Sequence, residues 1–378
     1  MNTPTTNQSA QLPDSHDRGD ISELPGAGNI IGAKNDFEAV REWMKAKGKR
    51  SGNTFKSYRT EATKILLWMM ENKHTFNSLT VEIVHRYFNH LACPPAHWIR
   101  PAKAKKGQKL TDFQIMRGGA SNKSIAYSRT VLIGLCRYLC AAGYIRLNPF
   151  ELSHRPAVVS AAEQERYLSV EAWSYLWSYI LSMASGTAIE QKHADRTRWL
   201  FALFYYTGLR IDEAVKGKMC DFVRRDDTWQ LKVVGKGSKA RFVTVSTALL
   251  SEVTRFRRLC DLPAYPLPAE TVPLIPRLTH KGPVGLSVRA VQAIVTEVGA
   301  RAAATCGDQH LVAQISSMTA HWLRHTNATH RLMAGASLET TQDELGHADP
   351  RTTRIYAKTS STARREDAEK LSRLKTTP

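Results

Sequence analysis

Apolar residues recur every three or four positions along most of the chain, a spacing that predicts a mainly helical protein. NDFEAVREWMKAKG (35–48) opens on an asparagine able to cap a helix and closes on a glycine. SGNTFKSYRTEATKILLWMMENK (51–73) places Phe55, Tyr58, Ile65 and Met69 on related turns and leaves Lys56, Arg59 and Lys64 for another face. SLTVEIVHRYFNHLA (78–92) and SNKSIAYSRTVLIGLCRYLCAAGYI (121–145) read as two further amphipathic helices. Between these two runs lies an insertion rich in Pro, Gly and Lys. Residues 97–130 carry eight Lys/Arg and one acid, interleaved with Trp98, Phe113 and Tyr127.

NPFELSHRPAVVSAAEQ (148–164) breaks the periodicity, and its Pro and Ser content predicts an interdomain linker at 151–163. The second half then predicts helices near 169–184, 194–216, 247–259, 287–304, 319–334, 338–345 and 350–357. Inside it, WQLKVVGKGSKARFVTV (229–245) alternates, breaks at Gly-Lys-Gly-Ser-Lys and alternates again, as a β-hairpin with a glycine-rich tip would. The expected fold class is mainly α with a small antiparallel β-sheet. The expected organisation is a disordered tail over 1–34, a helical domain over 35–150, the linker, an α+β domain over 164–357 and a polar tail over 358–378.

Composition narrows the class. The apolar run at 199–209 is too short to span a bilayer, and the polar N-terminus has no basic segment leading into an apolar one. The six cysteines are scattered without a CxxC pair, as reduced thiols of a cytoplasmic protein would be, and Cys136 and Cys140 read as small core residues. Charge adds most. With 53 Lys+Arg against 34 Asp+Glu, the formal net charge is +19, and a polyanion becomes the first candidate partner.

Four clusters could carry chemistry. In TGLRIDE (207–213), Arg210 and Glu213 are one helical turn apart, so the carboxylate can hold the guanidinium. In GKGSK (235–239), Lys236 lies at a hairpin tip between glycines, without the spacing of a Walker A loop. HWLRHTNATH (321–330) sets His321 and Arg324 one turn apart. His321 and His325 could also face one metal, but HExxH and a third ligand are missing, so no metal and no cofactor is expected. Finally ELGH and HADPRTTRIYAK bring His347 and Tyr356, the latter on a helix start with Asp349 as cap and Pro350 in the first position. Singly, each cluster has an ordinary reading: a surface ion pair, a solvated turn, a packed tyrosine. Together they offer two guanidiniums able to grip the equatorial oxygens of a phosphorane in place of Mg²⁺. They add a phenol that needs activation, since its reference pKa is about 10, and a lysine able to protonate a departing oxygen.

RIDE, GKG, HWLRHTNATH, LGH and TTRIYAK resemble, in order, the motifs of the tyrosine recombinases, or phage-integrase family. The likeness covers about 35–360 and is most specific at the C-terminal motifs. It implies two domains closing as a C-shaped clamp around DNA, and a site-specific recombinase that cuts and rejoins strands without metal or ATP. In that scheme Tyr356 is the nucleophile and forms a 3′-phosphotyrosyl link. Arg210 and Arg324 clamp the non-bridging oxygens, and Lys236 protonates the leaving 5′-oxygen. His321 helps accept the tyrosine proton, His347 bonds the phosphate, and Glu213 orients the site. DNA contacts are expected from Lys56, Arg59, Lys103, Lys105, Lys106, Lys123, Lys239 and Arg241. The implied partners are double-stranded DNA with inverted-repeat core sites, a homotetramer in synapsis and accessory DNA-bending proteins, with no membrane. The implied setting is a mobile genetic element. The insertion around 93–120 is long for the first domain, and no separate arm-binding domain is seen before residue 35. The tail after Tyr356 matches in position a segment that family members exchange between subunits. A DNA-binding protein without cleavage and a single-subunit relaxing topoisomerase remain as alternatives; a metal-dependent nuclease lacks the carboxylates.

Overall fold

The computed structural model describes residues 28–48, 52–101, 111, 113–154, 166–183, 186–235, 239–278 and 284–346. Lys103, Lys105, Lys106, Lys236, His347, Tyr356, the helix expected at 350–357, the C-terminal tail and residues 1–27 of the N-terminal tail lie outside them. The chain divides into two units between Ala161 and Ala162. Residues 28–34, expected to be disordered, instead pack on the first unit: Ile30 donates to the Ala142 carbonyl at 3.0 Å and Ala33 is buried in the core.

In the first unit, α1 (Asp36–Ala46) starts where the Asn35 side chain accepts from the Glu38 amide. It is followed by α2 (Gly52–Glu71), α3 (Val81–Ala92), α4 (Asn122–Ala141) and the short α5 (Pro149–Leu152), which occupies the start of the expected linker. Ala62, Ile65, Leu66 and Met69 form the buried stripe of α2 and meet Val131, Leu132, Leu135 and Leu139 in one core. Cys136 is buried in that core, and Cys140 packs against it. Trp43 and Tyr58 stack at 5.5 Å. The insertion is anchored at its root. Trp98 is fully buried, donates to Glu71 at 3.0 Å and lies 4.5 Å from His90 and 5.7 Å from Phe113. Beside it Arg100 donates to the Met116 carbonyl at 2.7 Å and Met116 donates to the Trp98 carbonyl at 3.0 Å.

The second unit runs α6 (Val170–Leu181), α7 (Ala188–Thr207), α8 (Ile211–Lys216), β1 (Phe222–Arg225), β2 (Thr228–Val234), β3 (Ala240–Thr244), α9 (Thr247–Leu259), α10 (Val288–Ala304), α11 (Gln309–Ser316), α12 (Ala320–Met333) and α13 (Leu338–Leu345). The sheet is antiparallel in the order β1-β2-β3, with Leu231 opposite Val243 and Phe222 opposite Leu231. Leu231, Val233 and Val243 point into the core, whereas Lys232, Val234 and Phe242 point out, so the expected hairpin has gained a third strand. The β1–β2 turn uses Asp226 and Asp227 at φ 45° and 59°, the pair of positive values a tight two-residue hairpin demands.

The single helix expected over 194–216 is two. Gly208 ends α7 in the left-handed region at φ 60°, and Arg210 begins α8 as its N-cap. A Cβ at Gly208 would come within 2.6 Å of both Asn327 Oδ1 and Leu345 Cδ2, so backbone conformation and space both call for glycine. This break turns Arg210 out of a helical row and onto a loop.

Candidate active site

Glu213 lies in the first turn of α8 with a side chain only 5% exposed, and it gathers four donors. Its Oε2 accepts the Arg210 amide at 2.8 Å and Oε1 accepts Arg210 Nη1 at 3.1 Å. Arg241 on β3 adds a parallel fork, Nη1 to Oε1 and Nη2 to Oε2, both at 2.9 Å. Burial alone would raise the Glu213 pKa. The Arg241 bonds, the Arg210 amide and the two positive charges outweigh it and hold the carboxyl below the usual range. The Arg210 side chain stays 41% exposed at this anchor.

Arg324 approaches from α12 and is 1% exposed. Its Nη1 donates to the Gly208 carbonyl and its Nη2 to the Leu345 carbonyl, each at 2.6 Å. These carbonyls close the C-termini of α7 and α13, where unpaired C=O groups and the helix dipole concentrate negative charge. Two helix ends therefore compensate a buried cation. Asn327 and Arg331, three and seven residues on, continue the same face and donate to the Tyr205 and Tyr206 carbonyls of α7. The stripe Arg324, Asn327, Arg331 thus staples α12 to the end of α7. Sequence spacing alone contains it, but not the partner it meets.

His321 stands in the first turn of α12, capped by the Thr319 side chain. Partial burial, then the charges of Arg324, Arg210 and Arg166, push its pKa down and favour the neutral ring. The same repulsions bring Arg210, Arg324 and His321 into one electrostatic neighbourhood and add Arg166, which the sequence reading did not single out. The His325 ring meets that of His321 edge to face at 4.3 Å. Among the described residues no group of three His, Cys, Asp or Glu could hold a metal ion.

Of the residues expected to touch DNA, Lys56, Lys123 and Lys239 are exposed and Arg59 is half-buried. Arg241 differs. Its side chain is 13% exposed, and beyond Glu213 its Nε donates to the Glu344 carbonyl at 3.0 Å. The described N–H groups of this guanidinium point into the protein.

Residues 181–362 match the model of the phage integrase family. The tyrosine recombinase XerC of Methylobacterium nodulans is 31% identical over 316 residues, which cover 80% of this chain and 89% of that protein. The chain belongs to the tyrosine recombinase family. It is accordingly a site-specific recombinase. XerC of Mesorhizobium japonicum is 28% identical over 86% of this chain and 93% of its own length. In fold, this tyrosine recombinase is similar to XerH bound to palindromic difH substrate, with a TM-score of 0.61 at 19% identity over 89% of this chain and 84% of that one. It is also similar to the lambda integrase dimer bound to a core site, with a TM-score of 0.56 at 15% identity over 84% and 75%. No helix among the described residues of the recombinase is long and apolar enough to cross a membrane.

Proposed function

We propose that this recombinase cleaves one DNA strand at a time through Tyr356, on a site built from Arg210, Lys236, His321, Arg324 and His347 and oriented by Glu213. The phenol oxygen forms a bond to the scissile phosphorus as the bond from phosphorus to the 5′-oxygen breaks. The phenol proton passes towards His321, whose ring is held neutral and so able to accept it. Lys236 gives a proton to the leaving 5′-oxygen. Charge that builds on the non-bridging oxygens is met by Arg210 and Arg324, which do the work a divalent ion does elsewhere. His347 donates a hydrogen bond to the same phosphate. The phosphotyrosyl ester keeps the energy of the phosphodiester, so a 5′-hydroxyl can reverse the step without ATP.

The observation that carries the reading is a pair of anchored guanidiniums, Arg210 held by Glu213 and Arg324 held by the Gly208 and Leu345 carbonyls, whose charges both reach His321. The DNA-bound state of XerH and lambda integrase supports duplex DNA as partner. Two inverted core sites held by a homotetramer, DNA-bending helpers, residence in the cytoplasm and carriage on a mobile element complete the proposal. Lys56, Arg59, Lys103, Lys105, Lys106, Lys123 and Lys239 supply its phosphate contacts. The test is a nicked duplex whose short 5′-product diffuses away and traps the covalent adduct. Unaltered protein should shift to a denaturant-resistant band and Tyr356→Phe should not, while both retain the non-covalent shift. Equal adduct in the variant would refute the assignment, and no adduct from either would leave a binding protein without cleavage.

A further inference from the structure

The Arg241 side chain binds Glu213 and lies close to Gly235 and Gly346, the described residues that precede Lys236 and His347. Through its fork it fixes Glu213, whose other bonds orient Arg210. A Cβ placed on Gly235, the residue before Lys236, would lie 3.5 Å from Glu213 Oε1 and 3.7 Å from Arg241 Nη1. A Cβ on Gly346, the residue before His347, would lie 2.7 Å from Arg241 Cδ. The Nε bond to the Glu344 carbonyl holds the end of α13, and the next carbonyl, Leu345, is an acceptor of Arg324. One planar guanidinium therefore ties β3, the α8 N-terminus and the α13 C-terminus.

We infer that Arg241 is a positioning residue, a bracket that sets Arg210, and through Gly235 and Gly346 the chain entering Lys236 and His347, against Arg324 rather than gripping DNA. This rests on the cleavage reading above. A lysine carries the same charge but offers no parallel fork, so Arg241→Lys separates bracket from phosphate contact. Misplacement of reacting groups by about 1 Å can cost roughly 100-fold in rate.

The experiment compares unaltered protein, Arg241→Lys, Arg241→Gln, Glu213→Gln and the double variant of Arg241→Lys with Glu213→Gln on the nicked duplex. It reads the single-turnover rate of adduct formation at saturating protein, and separately the dissociation constant across several salt concentrations. Arg241→Lys should slow adduct formation by about 100-fold while affinity and salt slope stay as they were. Because Arg241 acts through Glu213, the double variant should be little slower than either single one. If Arg241→Lys does not fold by circular dichroism, Glu213→Gln alone must show the same split between rate and affinity. The inference is overturned if Arg241→Lys cleaves at the unaltered rate. It is equally overturned if Arg241→Gln, which removes the charge, loses affinity and lowers the salt slope by about one, the mark of a lost phosphate contact. It is also overturned if the effects of Arg241→Lys and Glu213→Gln multiply. Should unaltered protein form no adduct at all, the cleavage reading fails first and this inference falls with it.

Discussion

Glu213 accepts four N–H donors while nearly sealed from solvent, so its charge matters more to the fold than that of any surface carboxylate. Removing one member of such a set strands the others, and Glu213→Ala should lower stability by about 3–5 kcal/mol in urea titration. Its depressed pKa fixes the sign of the pH effect. The stabilisation is complete above the ordinary glutamate value of 4.5 and is lost as pH falls through the lower folded value. His321 acts in the same direction, at a higher pH. Its folded pKa lies below 6.5, so as pH drops through 6.5 the unfolded chain takes a proton that the folded chain refuses, and stability falls. His321→Asn should therefore flatten the decline of the urea midpoint between pH 7.5 and 5.5. The pairing of Arg210 with Glu213 is legible in the sequence because a helix brings residues three apart together. The claim of Arg241 on the same carboxylate is not, since 28 residues and a strand pairing separate them and no periodicity links them.

At the scale of elements, apolar period foretold most helices, and what it missed has a local cause. The break at Gly208 was hidden because apolar residues continue through TGLRIDEAV on both sides of it. The left-handed backbone and the closeness of Asn327 and Leu345, both visible only in the fold, make the glycine obligatory. Gly208→Ala should cost about 2–3 kcal/mol, from left-handed strain plus a contact that must open, and calorimetry would show it as a lowered Tm. β1 escaped notice because four residues, FVRR, hold too little alternation to stand out. Its partner register, not its composition, makes it a strand. α11 is an eight-residue helix capped by Asp308, short enough to pass for a turn.

For the molecule as a whole, the excess of +19 was the plainest signal and remains the most general one. Its consequence is electrostatic. Binding to duplex DNA should weaken linearly in log–log terms with salt, at close to 0.9 per phosphate neutralised, and a flat response in mobility-shift assays would deny an extensive phosphate interface. The nucleophile and the general acid proposed for this chain rest on the sequence motif alone, whereas the fork from Arg241 to Glu213 needed three dimensions.

The pinned root of the insertion carries one more implication. With Trp98 buried and Arg100 and Met116 already joined, the chain leaves and re-enters the helical unit at a closed neck. Loop closure costs only about 0.6 kcal/mol per doubling of length, so exchanging residues 102–110 for a short uncharged link should leave thermal unfolding of the protein nearly unchanged. Such a neck works as a socket. A segment of other length or charge fitted there should leave the packing around Trp98 as it is.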